Sequence, residues 1–226
     1  MHTPRIKICG LTAPSEAAFC AEAGAHAVGL VFFPKSPRNV SPLQAREITR
    51  VLPPNVASVG VFVDASFETI MAVSETAGLS TVQLHGNEPP ELAEALHGQG
   101  LAVLKAFYVT APPLMERASA YPSATALVEW GKGVLPGGNA LAWGGETPPL
   151  PRRSPLVIAG GLGPDSVADI IRRFRPDGVD VSSGVETEPG KKSFDKIQKF
   201  IRIVGQCQVP GPIKEPFTHD EPKSPQ

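Results

Sequence analysis

The chain is predicted to fold as a single α/β domain, a closed (β/α)8 TIM barrel, on three observations. Eight short apolar, β-branched runs alternate with longer stretches of helical periodicity. Their starts fall roughly 21 to 31 residues apart, and 226 residues lies near the short end of the range for such a barrel. The glycine-rich turns come late in the chain. An open doubly wound sheet, the alternative, usually carries G-x-G-x-x-G after its first strand, where this chain has Cys9-Gly10-Leu11-Thr12.

In order, the strand candidates are Arg5–Ile8, Ala27–Phe33, Ala57–Val63, Thr81–Leu84, Ala102–Ala106, Thr125–Glu129, Leu156–Ala159 and Gly178–Val181. Each is too short and too uniformly apolar for a half-exposed antiparallel strand, and suits a parallel sheet covered on both faces. Among the helices, Ser41-Pro42-Leu43-Gln44 supplies an N-cap hydroxyl, a proline at the first helical position and a glutamine three residues on. Pro164 opens a segment in which Val167, Ile170, Ile171 and Phe174 share one face. Phe194, Ile197, Phe200, Ile201 and Val204 do the same near the end. Residues Gly131–Arg153 are rich in Gly and Pro and lack that periodicity, which predicts a long active-site loop with a short or irregular helix. Residues 1–209 are thus assigned to the barrel, and residues 210–226, rich in Pro, Glu and Lys, to a flexible tail.

Composition narrows the function. With 21 basic against 22 acidic residues there is no cationic surplus to clamp a nucleic acid or an anionic membrane, so an anionic ligand must be held by local groups. No run approaches the roughly 18 apolar residues of a membrane span, and Met1-His2-Thr3-Pro4-Arg5 leads into a strand without a signal-peptide core, so a cytoplasmic location is expected. Cys9, Cys20 and Cys207 are too scattered for a disulfide framework or paired zinc ligation, and no metal site is expected.

A barrel of this kind binds its ligand at the carboxyl ends of the strands. Gly160-Gly161-Leu162-Gly163 and Ser182-Ser183-Gly184 follow strands seven and eight, where barrels hold phosphate on backbone N–H groups, and together they predict a phosphate site. Cys9 reads as a small core hydrophobe or, with a cation near it, as a thiolate base; Lys7, two residues earlier, could share its face. Glu129 ends an apolar run, and Asp180 sits just inside one. Carboxyls there need a partner or a function. His85 is a ligand-contacting residue or a polar strand cap, and Arg38 a solvated cation or a bidentate carboxylate clamp.

The ordered motifs Lys7-Ile8-Cys9-Gly10-Leu11-Thr12, Gly29 through Arg38, Gly60-Val61-Phe62-Val63, Val82-Gln83-Leu84-His85-Gly86, Gly160-Gly161-Leu162 and Asp180 through Glu186 resemble the phosphoribosylanthranilate isomerase family of tryptophan biosynthesis. The resemblance runs from about Lys7 to Phe200. It implies an Amadori rearrangement of N-(5-phosphoribosyl)anthranilate, a small-molecule substrate, with no metal or organic cofactor, by a monomer or homodimer. It also implies Cys9 as general base, Glu129 in the place of the usual general-acid aspartate, and Arg38 on the anthranilate carboxylate. His85 and Asp180 would line the site, and Gly160, Gly161, Ser182, Ser183 and Gly184 would cradle the phosphate. The chain departs from the family pattern at Val128-Glu129-Trp130 and at Gly137 through Trp143. A drifted or catalytically silent sugar-phosphate-binding paralogue of the same barrel is the alternative.

Overall fold

The computed structural model describes residues 1–131, 143–144 and 155–218. Eight parallel strands close into a barrel in sequence order: β1 Arg5–Cys9, β2 Ala27–Phe32, β3 Ala57–Phe62, β4 Thr81–Leu84, β5 Ala102–Tyr108, β6 Thr125–Glu129, β7 Leu156–Ile158 and β8 Gly178–Val181. Closure is made by β1 against β8, with Lys7 opposite Asp180. The helices are α1 Pro14–Ala23, α2 Pro42–Thr49, α3 Phe67–Ala77, α4 Pro90–His97, α5 Val167–Phe174 and α6 Phe194–Gly205. No helix among the described residues is long and apolar enough to cross a membrane.

Alternation along each strand sorts side chains into two cores. The outer one joins the strands to the helices through residues such as Ile8, Val28, Val82, Ile48, Ile171 and Phe200. The inner one is small, made of Ala27, Val59, Leu104, Ala106, Leu127, Val157, Ala159 and Phe217. Because polar residues also occupy alternate positions, Lys7 and Cys9 lie on one face of β1, and the reach between them is set by a two-residue repeat.

The start of α2 forms as its sequence predicts: Gln44 N donates to Ser41 Oγ at 3.2 Å and Ser41 N to Gln44 Oε1 at 3.0 Å. The fifth unit departs from a regular β/α repeat. In place of an α-helix it has a 3₁₀ segment, Met115–Ala120, following Pro112 and Pro113, which cannot donate backbone hydrogen bonds. Helix α5 begins at Val167, three residues after Pro164, because a turn intervenes in which Gly163 N donates to Ser166 Oγ. A short antiparallel hairpin, β9 Glu186–Glu188 and β10 Lys191–Lys192, follows β8. The loop expected over residues 131–153 lies, apart from 131, 143 and 144, outside the described residues.

The tail expectation is corrected over its first half. From Pro210 to Thr218 the chain folds back across the amino end of the barrel, while residues 219–226 lie outside the described residues. Arg5 Nε donates to Glu215 Oε2 at 2.9 Å, Lys214 N donates to Asp177 Oδ1 at 3.2 Å, and Thr81 Oγ1 donates to the Phe217 carbonyl at 3.1 Å. Phe217, 5% exposed, enters the inner core. Composition suggested a segment too polar to order itself, but one aromatic inserted among small barrel residues supplies the missing apolar burial. Phe217→Ala is expected to cost about 3 kcal/mol and to lower Tm by roughly 6–12 °C for a chain of this length. A thermal melt with unchanged Tm would remove the segment from the stabilising core.

Candidate active site

One cavity opens at the carboxyl ends of the strands. It is lined by Cys9 from β1, Glu129 from β6 and Asp180 from β8, with Arg38 and His85 from the turns after β2 and β4. Gly160, Gly161, Ser182 and Ser183 form another part of its wall. Nine of the ten residues singled out in the sequence therefore meet in one place. Gly184 does not line the cavity; a Cβ there would lie 1.8 Å from the Leu162 carbonyl oxygen, so its place is in the packing of the seventh turn against the eighth.

Cys9 is seated by a neighbour without a side chain. A Cβ on Gly29, its partner in β2, would lie 2.6 Å from Cys9 Sγ. Lys7, wholly buried, stands 3.0 Å from Asp180 Oδ1 as an ion pair too skewed to be an aligned hydrogen bond. Burial works against the charge on Lys7, yet Asp180 and Cys9 outweigh it and hold the ammonium above its ordinary pKa. Burial, with the charge of Asp180, likewise pushes the Cys9 thiol up, while Lys7 and, to a smaller extent, Lys192 draw it back. Lys7 is therefore the cation that makes a thiolate at this rim attainable.

Glu129 is 4% exposed, and burial, reinforced by the charge of Asp180, pushes its pKa up to about 8. At neutral pH it holds its proton. Gly160, which has φ +77°, packs on this side chain: a Cβ there would lie 3.1 Å from Glu129 Cβ. A side chain at that position would crowd the longer acid. His85 Nε2 stands 3.7 Å from Glu129 Oε1. The other ring nitrogen, Nδ1, is 2.7 Å from Gln83 Nε2, and an amide donor there leaves the proton of a neutral imidazole on Nε2, the side facing Glu129. His85 is thus a buried neighbour of the acid, placed by the same two-residue repeat that pairs Lys7 with Cys9.

Arg38 is a clamp, and in this structure the carboxylate it grips is Glu186: Nε to Oε1 at 2.8 Å and Nη2 to Oε2 at 2.6 Å. That leaves the outer Nη1–Nη2 edge for a ligand. Glu186 also accepts from Lys192 Nζ at 2.7 Å. Burial opposes ionisation of Glu186, but Arg38 and Lys192 prevail and hold its pKa below the ordinary carboxylate range. Gly160 and Gly161, at φ +77° and +64°, both hold a backbone conformation that favours glycine, and both line the cavity. Across the turn Trp143 Nε1 donates to the Ala159 carbonyl at 2.9 Å, and its ring packs against those of Trp130 and Phe174.

Sequence reasoning missed Gln83, Glu186 and Lys192 as parts of the site. The spacing of Gln83 from His85 was a usable signal; nothing local in the sequence links Lys192 to Arg38. It also missed a second buried pair, Lys105 and Glu88, 3.1 Å apart. Glu88 accepts from the N–H groups of Gly86 and Asp64, at 3.0 and 2.9 Å to Oε1, and so fixes the turn that carries His85.

The chain matches a family model described as N-(5'phosphoribosyl)anthranilate (PRA) isomerase over residues 6–203. It is 47% identical over 206 residues to the N-(5'-phosphoribosyl)anthranilate isomerase of Desulfatibacillum aliphaticivorans, covering 91% of this chain and 94% of that one. The crystal structure of the Thermotoga maritima phosphoribosyl anthranilate isomerase superposes with a TM-score of 0.81 at 41% identity, covering 90% of this chain and 100% of that one. A phosphoribosyl anthranilate isomerase in complex with reduced 1-(o-carboxyphenylamino)-1-deoxyribulose 5-phosphate superposes with a TM-score of 0.77 at 42% identity, with the same coverage. A barrel with this mouth, matched along nearly its whole length, belongs to the N-(5'-phosphoribosyl)anthranilate isomerase family.

Proposed function

We infer that this enzyme converts N-(5'-phosphoribosyl)anthranilate into 1-(2-carboxyphenylamino)-1-deoxyribulose 5-phosphate, an aldose–ketose isomerisation of the Amadori type in tryptophan biosynthesis. The observation that carries the residue roles is one cavity lined both by a thiol beside a buried lysine and by a buried carboxyl, whose pKa burial pushes up to about 8.

Ring opening needs an acid. The Glu129 carboxyl gives its proton to the furanose ring oxygen as the C1–O bond breaks and the anthranilate nitrogen lone pair forms the C1=N iminium. His85 Nε2–H faces the carboxylate left behind. The Cys9 thiolate then takes the C2 proton; the C2–H electrons become the C1=C2 bond and the iminium π pair returns to nitrogen. Protonation at C1 and loss of the C2 hydroxyl proton give the ketone. The net change is one hydrogen moved from C2 to C1 and one proton from the C2 hydroxyl to the former ring oxygen, with no external oxidant or reductant. A thiol held high by burial makes a strong base once ionised, and Lys7 takes part of the cost of ionising it. Glutamate extends one methylene further than the aspartate the family pattern places here, and Gly160 leaves room for it.

At the ends of the substrate, the main-chain turns at Gly160–Gly161 and Ser182–Ser183 take the phosphate, and the free edge of Arg38 takes the anthranilate carboxylate. The catalytic thiol works only while reduced, which fits the cytoplasm. A Thermotoga maritima relative is described as dimeric; a homodimer or a monomer fits the present chain.

The direct test is loss of substrate fluorescence on adding purified protein. Cys9→Ala and Glu129→Gln are each expected to lower kcat by about 10²–10⁴ while leaving phosphate-ligand affinity largely intact; a near-normal rate in Glu129→Gln would reject the assigned acid. Stability also reports on Glu129. The folded chain holds that proton up to about pH 8, whereas an unfolded glutamate releases it near 4.5. Between those values the folded state binds more protons, so its stability falls as pH rises. In Glu129→Gln this contribution vanishes, and urea titrations across that window should show a flatter pH dependence than in the unaltered chain. An identical slope in both would place the proton elsewhere.

A further inference from the structure

The β9–β10 hairpin is wedged between three of the turns that build the mouth. A Cβ on Gly190 would lie 2.8 Å from the Pro37 carbonyl oxygen, next to Arg38, and Thr12 Oγ1 after β1 donates to the Gly190 carbonyl at 3.3 Å. Lys192 N donates to Glu16 Oε1 at 3.2 Å, and Glu16 Oε2 in turn accepts from Thr12 N at 2.8 Å. The hairpin therefore touches the turns after β1 and β2, and its last side chain reaches the turn after β8.

That side chain is Lys192, whose ammonium is wholly buried. A buried cation is costly unless its protons are taken up. Here one goes to Glu186 Oε1 at 2.7 Å and another to the Ser182 carbonyl at 3.2 Å. Through Glu186 the ammonium is one carboxylate away from both gripped nitrogens of Arg38. Through Ser182 it fixes the peptide that links Ser182 to Ser183. In a trans peptide the carbonyl and the following N–H point in opposite directions, so holding the Ser182 carbonyl aims the Ser183 N–H to the side away from Lys192. Ser183 lines the cavity.

We propose that Lys192 is a positioning residue that locks the carboxylate clamp and the phosphate turn into one rigid spacing, so that the two ends of the substrate are gripped as a unit. The proposal rests on the ligand roles given above to Arg38 and the eighth turn. Lys191 is the built-in control: adjacent in the chain, it is largely exposed and, among the described residues, its side chain pairs with Glu188 across the hairpin, at 3.3 Å.

The experiment is competitive inhibition of the isomerase by inorganic phosphate and, separately, by anthranilate, in Lys192→Met, Lys192→Arg and Lys191→Met. Lys192→Met is expected to raise both inhibition constants and KM by about tenfold or more, since a displacement of an ångström at a binding group has effects of this size. Lys192→Arg keeps the charge in its pocket and should weaken both probes by a smaller factor, and Lys191→Met should leave both unchanged. A lowered Tm in Lys192→Met with unchanged inhibition constants, or weakening of one probe alone, overturns the proposal. Where Lys192→Met does not fold, Lys192→Arg decides: unaltered affinity for either probe overturns it. If neither probe competes with substrate in the unaltered chain, it is the assignment of Arg38 and the eighth turn that fails, and this proposal with it.

Discussion

The buried charge on Lys7 is the constraint around which the barrel mouth is arranged. An ammonium in the centre of a β-barrel has no water to solvate it and must be answered by protein groups. Asp180 answers it from β8, across the seam where the first and last strands close the barrel. The pair does more than close that seam. Its cation lies beneath Cys9 and offsets part of the cost that burial places on the thiolate, while its anion adds to the burial that keeps Glu129 protonated. One ion pair thus pushes the thiol and the carboxyl of one cavity in opposite directions.

Absence of side chains is the second structural requirement. The thiol fits because Gly29 carries no Cβ, and Glu129 fits beside Gly160 for the same reason. These are packing conditions set by neighbours in adjacent strands or turns, so the thiol and the carboxyl cannot be considered apart from the glycines that face them. Beside the cavity the charges are arranged in a chain, Arg38 to Glu186 to Lys192, in which one buried carboxylate is shared by two cations. The longer carboxyl at position 129 departs from the family pattern without leaving the mouth, since it lines the same cavity as Cys9.

Legibility in the sequence followed the range of the interaction. The strands were readable because period and composition are local: observed ends differ from the expected ones by at most two residues, as at Tyr108 in β5. The helix at Pro42 was readable because its cap is complete within four residues. The helix position of the fifth β/α unit was not, because the two prolines before it leave the 3₁₀ segment Met115–Ala120 in its place. Phe217 was misread because its burial depends on a gap among Ala27, Val59 and Leu127, residues far from it in the chain.

From the linear pattern alone came the barrel, the end of it at which the cavity opens, and ten candidate residues of which nine meet in that cavity. This was possible because strand order and alternation fix where each strand terminus must lie. The folded chain supplied the partners: which carboxylate Arg38 grips, which tautomer Gln83 imposes on His85, and that Lys192 reaches Ser182. Such pairings join residues that are distant in sequence or fixed by side-chain orientation, and only when the strands close do charges separated by more than a hundred residues come to within 3.0 Å of each other.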